Sequence, residues 1–356
     1  MTMKRIACSI GVAALGLLLL LSAGCPPHGT GGAGGSDADA GPPGWQTVYS
    51  GKGLAGAVLS AWGTGPDDIF VVGGPLGNSG FEAVAVHFDG KVWTKLAPGG
   101  VDSFWWVHGT SPKDVWMTGD KGRITHWDGA TFNEQPRLTT ARIWGLWAAS
   151  PTDAWAVGGT PEGGSTAPND VVLHWDGSAW KQETLPGAPL GRSLNKVWGT
   201  SSTDVYVVGE AATIWHLKGA TWTQETNPAK SNLLTVHGCS ATDVYAVGGQ
   251  DVLHSDGTTW SKVDVTLGNS VNGVACGAAG EVLLVGFGGL KQRLVDGKWI
   301  DEFTSMPYGD LHGAWADGHG AFWAAGGDFV SKASSGAARK AIIGRYGPGE
   351  VPPLAP

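Results

Sequence analysis

The stretch DVYAVGGQDVLHSDGTTW, residues 243–260, places a histidine among aspartates and hydroxyl side chains. Carboxylates with a histidine are a common donor set for metal ions and for general acid–base catalysis. The same pattern recurs along the chain, however, and half of its 10 histidines occupy one repeated position: His87, His126, His174, His216 and His254. Side chains at equivalent positions of a repeat lie on separate units, so they cannot share one ion at bonds of about 2 Å. We therefore interpret the stretch as a structural repeat and expect no metal site in it.

The repeat consists of short apolar strands that each contain or end in glycine. Its copies are DIFVVGG (68–74), DVWMTGD (114–120), DAWAVGG (153–159), DVYVVGE (204–210), DVYAVGG (243–249), EVLLVGF (281–287) and AFWAAGG (321–327). Another strand precedes each copy, so the copy is the second strand of its unit. The third strand usually ends in Asp-Gly, which favours a tight hairpin because both turn positions adopt positive φ. The fourth strand then begins with an aromatic residue. The spacing of roughly 40 to 50 residues is typical of propeller blades.

These patterns predict an all-β fold, a seven-bladed β-propeller of four-stranded antiparallel blades. The seventh unit ends after its third strand near Gly347, whereas GWQTVYS (44–50) is a strand without a unit of its own. We therefore expect this N-terminal strand to complete the last blade, because closing the ring protects the sheet edges. The propeller is predicted over residues 45–347 and a disordered tail over residues 348–356.

The N-terminus has the pattern of an export signal. Two basic residues precede an apolar run over residues 6–21, which is too short to span a bilayer comfortably. The sequence LSAGC, ending at Cys25, resembles the lipobox of bacterial lipoproteins, although Ser22 stands where leucine is commonest. The resemblance implies a signal peptide over residues 1–24 and a diacylglycerol on the Cys25 sulfur, usually with a third fatty-acyl chain on the new amine. The alternative is an ordinary secretory signal with a chance cysteine.

The residues after the signal predict how the protein is held in the cell envelope. Residues 25–44 are rich in Gly and Pro and lack large apolar side chains, so we expect a flexible linker that begins with the lipidated Cys25. Pro26 is not an acidic retention signal for the inner membrane, which favours the outer membrane. The formal net charge of −8 and the lack of a basic stripe predict no nucleic-acid partner. We expect a monomeric propeller anchored to the membrane through Cys25.

Residues 45–347 resemble bacterial propeller lipoproteins with repeated DVWAVG…HWDGxxW units. They also resemble kelch repeats, through the Gly-Gly after the second strand and the aromatic residue that opens the fourth. The hairpin DGxxW is similar to the Asp-box of sialidase-type propellers, which has one more residue between Asp and Gly. This departure argues against a sialidase, and the fold alone assigns no function.

Some residues break the repeat and are candidates for ligand binding. Trp105, Trp106 and Trp144 lie in the first strands of the second and third blades, near the axis, where they could stack on sugars or simply fill the channel. Other candidates are polar residues of the first strands: Arg142, Asn195, Lys196, Asn272, Asp310 and His312. The long loops 74–83, 159–170 and 327–340 are expected on the same face, and variable loops on a rigid scaffold often bind ligands.

The two cysteines of the folded part are Cys239 and Cys276, at nearly equivalent places in the fifth and sixth blades. An exported protein folds where disulfides form, so neighbouring blades could join them. The alternative is a pair of free thiols.

Together these observations favour a membrane-anchored envelope lipoprotein whose propeller is a binding or scaffold module for a glycan or protein partner. The alternative is a hydrolase or lyase that acts on a polysaccharide at the long-loop face. No nucleophile with a nearby base, close carboxylate pair or cofactor motif is recognisable, so no catalytic residue and no cofactor is predicted. Because propeller enzymes collect catalytic residues from separate blades, a linear sequence does not exclude this alternative.

Overall fold

The computed structural model describes residues 43–161, 168–277, 280–330 and 336–355. Within these residues, the strands form seven four-stranded sheets in which all neighbouring strands are antiparallel. The predicted signal peptide, Cys25 and the linker up to residue 42 lie outside the described residues, so the predictions about them stay predictions. Among the described helices, none combines the length and apolar character needed to cross a membrane.

The first three blades follow one strand that belongs to the last blade. That strand is β1 (Gly44–Gly51). Blade 1 contains β2 (Ala57–Gly65), β3 (Asp68–Gly74), β4 (Val84–Phe88) and β5 (Trp93–Lys95). Blade 2 contains β6 (Phe104–Ser111), β7 (Asp114–Gly119), β8 (Ile124–Trp127) and β9 (Phe132–Glu134). Blade 3 contains β10 (Arg142–Ser150), β11 (Asp153–Gly159), β12 (Val171–Trp175) and β13 (Trp180–Glu183).

The remaining four blades repeat this order. Blade 4 contains β14 (Leu194–Ser201), β15 (Asp204–Gly209), β16 (Thr213–Lys218) and β17 (Thr221–Gln224). Blade 5 contains β18 (Thr235–Ser240), β19 (Asp243–Gly248), β20 (Asp251–Ser255) and β21 (Trp260–Lys262). Blade 6 contains β22 (Val271–Cys276), β23 (Val282–Gly286), β24 (Lys291–Val295) and β25 (Lys298–Asp301). Blade 7 contains β26 (Leu311–Ala316), β27 (Phe322–Gly327) and β28 (Ala341–Gly347). Single 3-10 turns occupy Asp120–Gly122 and Phe287–Gly289.

Blade 7 is completed by the N-terminal strand, in the order β1-β28-β27-β26. The first strand of each blade contacts the first strand of the next, and β26 contacts β2, so the ring is closed. The predicted seven-bladed propeller and its closure are confirmed. The sequence folds in this way because each blade is a series of short hairpins, and the local sequence of each turn favours a hairpin.

The core consists of seven apolar clusters among the described residues, each lying between two neighbouring blades. The cluster between blades 2 and 3 is typical, because Trp116 and Trp180 meet edge to face with ring centroids 5.4 Å apart. Aromatic pairs at such separations add about 0.5–1.5 kcal/mol beyond the area that they bury. The repeated tryptophans therefore hold neighbouring blades together.

The five repeated histidines each bond to the aspartate that begins the second strand of the same blade. The Nε2–Oδ1 distances are 2.6 Å for His87–Asp68, 2.7 Å for His126–Asp114, 3.0 Å for His174–Asp153, 2.6 Å for His216–Asp204 and 2.8 Å for His254–Asp243. Each imidazole also packs against the aromatic ring opposite it on the second strand, as His174 does on Trp155 at 4.1 Å. Each pair stays within its own blade, so its role is to fix strand pairing.

Blades 5 and 6 are joined covalently. Cys239 on β18 and Cys276 on β22 form a disulfide, with their Cα atoms 5.1 Å apart. The backbone N–H of Cys276 also donates to Nδ1 of His237 at 3.2 Å. Two kinds of link therefore tie the first strands of these blades together.

The C-terminal residues differ from the predicted disordered tail. Leu354 is buried in the cluster between blades 7 and 1, and its N–H donates to the Val48 carbonyl at 3.0 Å. Val351 exchanges hydrogen bonds with the Gln46 side chain, and Trp93 donates its indole N–H to the Pro352 carbonyl at 3.0 Å. Two apolar side chains and available backbone partners beside β1 are enough to order this segment.

Candidate functional site

The first strand of the blades carries one extra residue next to the axis. The pairing of first and second strands skips one residue in six blades, and the blade 5 residue Leu234 immediately precedes the corresponding strand. We call these residues the axial ring: Leu59, Trp105, Trp144, Asn195, Leu234, Asn272 and His312. A bulge turns its extra side chain away from the regular alternation of the strand, which frees it from packing between blades. The residue type in the axial ring can therefore differ from blade to blade, because packing between blades does not fix it.

Two connected cavities lie along the axial ring. A cavity of about 820 Å³, which we call the outer cleft, is lined by Trp105, Arg142 and Trp144 together with loop residues. A smaller cavity of about 160 Å³, the inner pocket, is lined by Trp144 and by Asn195, Lys196, Asn272 and His312. Trp144 and Pro161 line both cavities. Seven of the nine predicted binding residues thus lie in one continuous region.

Arg142 is the central charged group of the outer cleft. Its guanidinium carbon lies 4.8 Å from the Trp105 ring centroid and 4.4 Å from the Trp144 centroid. Its Nε donates to Asp120 Oδ1 at 2.6 Å, and the Trp105 indole N–H donates to the same oxygen at 2.9 Å. The side chain is thereby fixed by one carboxylate and by two indoles, since cation–π contacts restrain its plane.

The indoles themselves offer little surface to a ligand. Trp105 is only 8% exposed and meets Trp144 edge to face at 4.5 Å between ring centroids. The Trp144 indole N–H donates to the Gly159 carbonyl at 3.2 Å. The interpretation of these tryptophans as a platform for sugar stacking is therefore not supported for Trp105, whose main contact is the arginine.

The wall of the outer cleft comes from the three long loops. Residues 76–80, 159–161 and 329–330 all line it, so the loops lie on the same face as expected. Arg339 links two of these loops, because its Nε donates to the Pro75 carbonyl at 2.9 Å and its Nη1 donates to the Asp328 carbonyl. No sequence motif marks Arg339 for this role, which depends on the conformations of the two loops.

Two predicted site residues lie outside both cavities. Trp106 follows the bulge and packs against the cluster between blades 2 and 3, where Lys196 Nζ lies 3.5 Å from its ring centroid. Asp310 accepts the Gly288 N–H at 2.7 Å and so stabilises the 3-10 turn of blade 6. The prediction that these two residues line the site is corrected, because both satisfy packing or backbone needs.

Two histidines that were not predicted as functional residues lie at the opposite end of the first strands. His108 and His237 occupy the position that holds tryptophan in most blades, and each accepts a backbone N–H from the next blade through Nδ1. Burial lowers the pKa of His108 to about 3 and that of His237 to about 4, so both are neutral at pH 7. The sequence signal for these two residues was that VHGT and VHGC stand where another blade has VWGT.

No group of three or more His, Cys, Asp or Glu side chains suited to a metal ion occurs among the described residues. The polar groups of the two cavities are instead hydrogen-bond donors and acceptors, together with the fixed guanidinium groups of Arg142 and Arg339 in the outer cleft. This arrangement can bind and orient a ligand.

Comparison with known proteins supports the fold. No protein-family model and no curated protein matches the chain. A structure of YCF48 bound to D1 peptide is 14% identical with a TM-score of 0.61, and the match covers 85% of this chain and 96% of that one. The beta-propeller domain of Cps50 (Swd1) from Myceliophteria thermophila is 13% identical, with a TM-score of 0.61 and coverage of 85% and 99%. The WD40 beta propeller domain of Doa1 is 11% identical, with a TM-score of 0.62 and coverage of 85% and 97%. At these identities the likeness concerns the fold alone.

Proposed function

We propose that the protein is a binding module that holds an acidic segment of a partner protein in the outer cleft. One observation carries the proposal. The two terminal nitrogens of Arg142 have no hydrogen-bond partner among the described residues, although Nε is bonded and the plane of the group is fixed. A fixed guanidinium fork matches a carboxylate in two parallel hydrogen bonds, and binding to it loses little further entropy.

The size and lining of the cleft support a peptide segment rather than a single small group. A volume of about 820 Å³ is within the usual range for ligand sites. Val101 and Val330, which line the cleft, are 61% and 59% exposed, and Phe329 lies beside them.

The other charged residues of the cleft already have partners, because Asp120 accepts from Arg142, Asp102 pairs with Lys121 and Arg339 donates to backbone carbonyls. An acidic residue flanked by apolar residues therefore suits Arg142 and the exposed apolar side chains.

The fold comparison is consistent with this function. The propeller of YCF48 is known in a complex with D1 peptide, and propellers are rigid scaffolds on which loops of one face can form a site. Because one fold serves many functions, the proposal rests on Arg142 and not on the likeness. A glycan ligand and a polysaccharide hydrolase or lyase are the alternatives that the experiment below separates.

The test is selection from a random peptide library and, in parallel, from a glycan array, using the purified protein. We expect acidic peptides to be selected, and Arg142→Met to weaken their binding because a charged hydrogen bond is lost while the aliphatic stem is kept. Such a loss is about 1.5–3 kcal/mol, or about tenfold to 150-fold in Kd. Arg192→Met is the matched control, since it removes the same charge from a residue outside both cavities.

Three outcomes would contradict the proposal. Selected peptides without an acidic residue would show that the ligand needs no carboxylate. Equal affinity of the wild type and Arg142→Met for the peptides would show that Arg142 takes no part in binding. Specific glycan binding without peptide binding would favour the alternative ligand class.

We also propose that the module is a monomer tethered to the bacterial outer membrane through lipid on Cys25. The LSAGC sequence, the flexible composition of residues 26–44 and the negative charge support this proposal. Several acyl chains anchor a protein stably, whereas one chain is marginal.

Metabolic labelling with a palmitate analogue tests the tether. We expect the label on the wild-type protein in the membrane fraction, and none on Cys25→Ser, which leaves no sulfur for the diacylglycerol. Label retained by the variant would show that the lipid is elsewhere, and an unlabelled wild type would leave only an ordinary secretory signal.

A further inference from the structure

The inner pocket is lined by polar side chains that are buried yet incompletely bonded. Asn272 is 6% exposed, and its side-chain amide has no hydrogen-bond partner among the described residues. The buried side-chain atoms of the described residues that lack any partner do not include this amide, so it is open to the cavity. An amide that faces a cavity without a protein partner is available to a ligand group that enters it, and a mismatched ligand would leave it unbonded at a cost of about 1–3 kcal/mol.

His312 lies on the blade next to Asn272, at the same position of the axial ring. Its Nδ1 lies 2.7 Å from the Leu59 carbonyl oxygen, which only accepts hydrogen bonds, so Nδ1 carries the proton. Burial lowers the pKa of His312 to about 3, which keeps the ring neutral at pH 7. Its Nε2 therefore has a lone pair, for which the described residues provide no donor. The edges of Trp105 and Phe329 hold the ring in place at 5.5 and 5.3 Å between centroids.

Lys196 supplies a positive or donor group behind the pocket. It is 3% exposed, and its Nζ donates to the Trp144 carbonyl at 3.0 Å while lying over the Trp106 ring. Gly145 allows this path, because a Cβ there would lie 2.9 Å from the Lys196 Cα atom. No carboxylate of the described residues forms an ion pair with Lys196, and burial alone lowers its pKa well below the usual range.

These groups discriminate between ligand chemistries. A carboxylate only accepts hydrogen bonds, so it would meet the Nε2 lone pair of His312 without a proton to share. An ammonium only donates, and it would leave an Asn272 donor unused beside Lys196. A neutral group that both donates and accepts hydrogen bonds satisfies both Asn272 and His312. Such a site discriminates strongly against other ligands, because a mismatched ligand leaves a buried polar group unbonded.

We propose that the inner pocket is a subsite for the side-chain carboxamide of a glutamine or asparagine. Its N–H₂ would donate to His312 Nε2 and its carbonyl would accept from the Asn272 amide. The assignment rests on the proposed function, since the carboxamide belongs to the same bound segment whose acidic residue reaches Arg142. Trp144 and Pro161 line both cavities, so the two subsites are neighbours.

The test uses small probes that fit the inner pocket without any peptide. Saturation-transfer NMR on the purified protein compares propionamide, propionate, propylammonium and propan-1-ol. We expect propionamide to bind best, and Asn272→Leu to weaken it at least about tenfold, which corresponds to about 1.4 kcal/mol. Asn272→Asp, which keeps the shape and loses the N–H₂ donor, is the second variant and is expected to weaken propionamide as well. Arg192→Met, outside both cavities, is the control.

Two results would overturn the assignment. Tighter binding of propionate or propylammonium, or no propionamide binding by the wild type, would exclude a carboxamide subsite. Tighter binding of propan-1-ol would make the occupant a hydroxyl group and so overturn the glutamine or asparagine. Neither result affects the peptide measurement on Arg142→Met, so failure here is distinct from failure of the proposed function.

Discussion

Deletion of β1 is expected to abolish the folded ring rather than to trim it. Val48 and Tyr49 are 1% and 7% exposed in the cluster between blades 7 and 1, and Trp45 donates its indole N–H to Glu302 of blade 6 at 2.6 Å. Burying each large apolar side chain contributes about 1.5–3 kcal/mol, so Val48 and Tyr49 alone contribute about 3–6 kcal/mol. This is comparable with the whole stability of many proteins, about 5–15 kcal/mol.

A pair of valine variants tests the same closure in graded form. Val48→Ala is expected to lower the free energy of unfolding by about 1.5–3 kcal/mol, from lost burial and the cavity that remains. Val92→Ala is the control, because Val92 is 57% exposed on a hairpin turn and its change is expected within about 0.5 kcal/mol. Urea unfolding measures both variants. Equal effects, or a deletion variant that unfolds like the wild type, would show that β1 does not close the ring.

Mild acid is expected to destabilise the protein through buried neutral histidines. The pKa of His108 falls to about 3 and that of His237 to about 4 in the folded protein, mainly by burial, against 6.5 as the ordinary value. Below pH 6.5 these histidines therefore bind protons in the unfolded chain but not in the folded protein. The free energy of unfolding falls as the pH falls towards the folded-state pKa values. Each histidine contributes at most about 1.4 kcal/mol per pH unit in this window.

The double variant His108→Gln/His237→Gln is expected to flatten this pH dependence. The glutamine carbonyl can accept the same backbone N–H groups and does not titrate. Urea unfolding at several pH values between 7 and 4 measures the slope for both proteins. Equal slopes would contradict the role of these two histidines.

The His–Asp pairs act in a separate pH window. Burial opposes ionisation of Asp114, but hydrogen bonds from His126 and Thr110 outweigh it and hold its pKa below 3.8. A lowered carboxylate pKa gives stability that is present above the ordinary value and is lost as the pH falls through the folded one. The stability from the His–Asp pairs is therefore lost below about pH 4. At that pH, much of the stability that depends on the buried neutral histidines has already been lost.

The propeller was predictable because its determinants are local and repeated. Each Asp-Gly hairpin and each glycine at the end of a second strand is visible in a short stretch, and the unaccompanied strand at residues 44–50 required a partner. The ordered tail was not predictable in this way, because Leu354 and Val351 are only apolar residues in a Pro-rich segment until β1 lies beside them.

The site was predictable in its residue types but not in its geometry. A bulge shifts the alternation of a strand by one residue, and nothing local distinguishes Trp105, which lines the cleft, from Trp106, which packs between blades. Arg142 begins β10, and Asp310 immediately precedes β26 at the equivalent position of its blade. Only the structure shows that the Asp310 carboxylate accepts a hydrogen bond from the turn of blade 6. It also shows that Arg142 uses Nε for Asp120, while its terminal nitrogens have no partner among the described residues.

The most direct test of the proposed function is a crystal structure of the protein with a peptide selected from the library. We expect a carboxylate of that peptide within about 3 Å of the two terminal nitrogens of Arg142, in the bidentate geometry of an arginine–carboxylate pair. A peptide bound on the opposite face, or one whose carboxylates point away from Arg142, would contradict it.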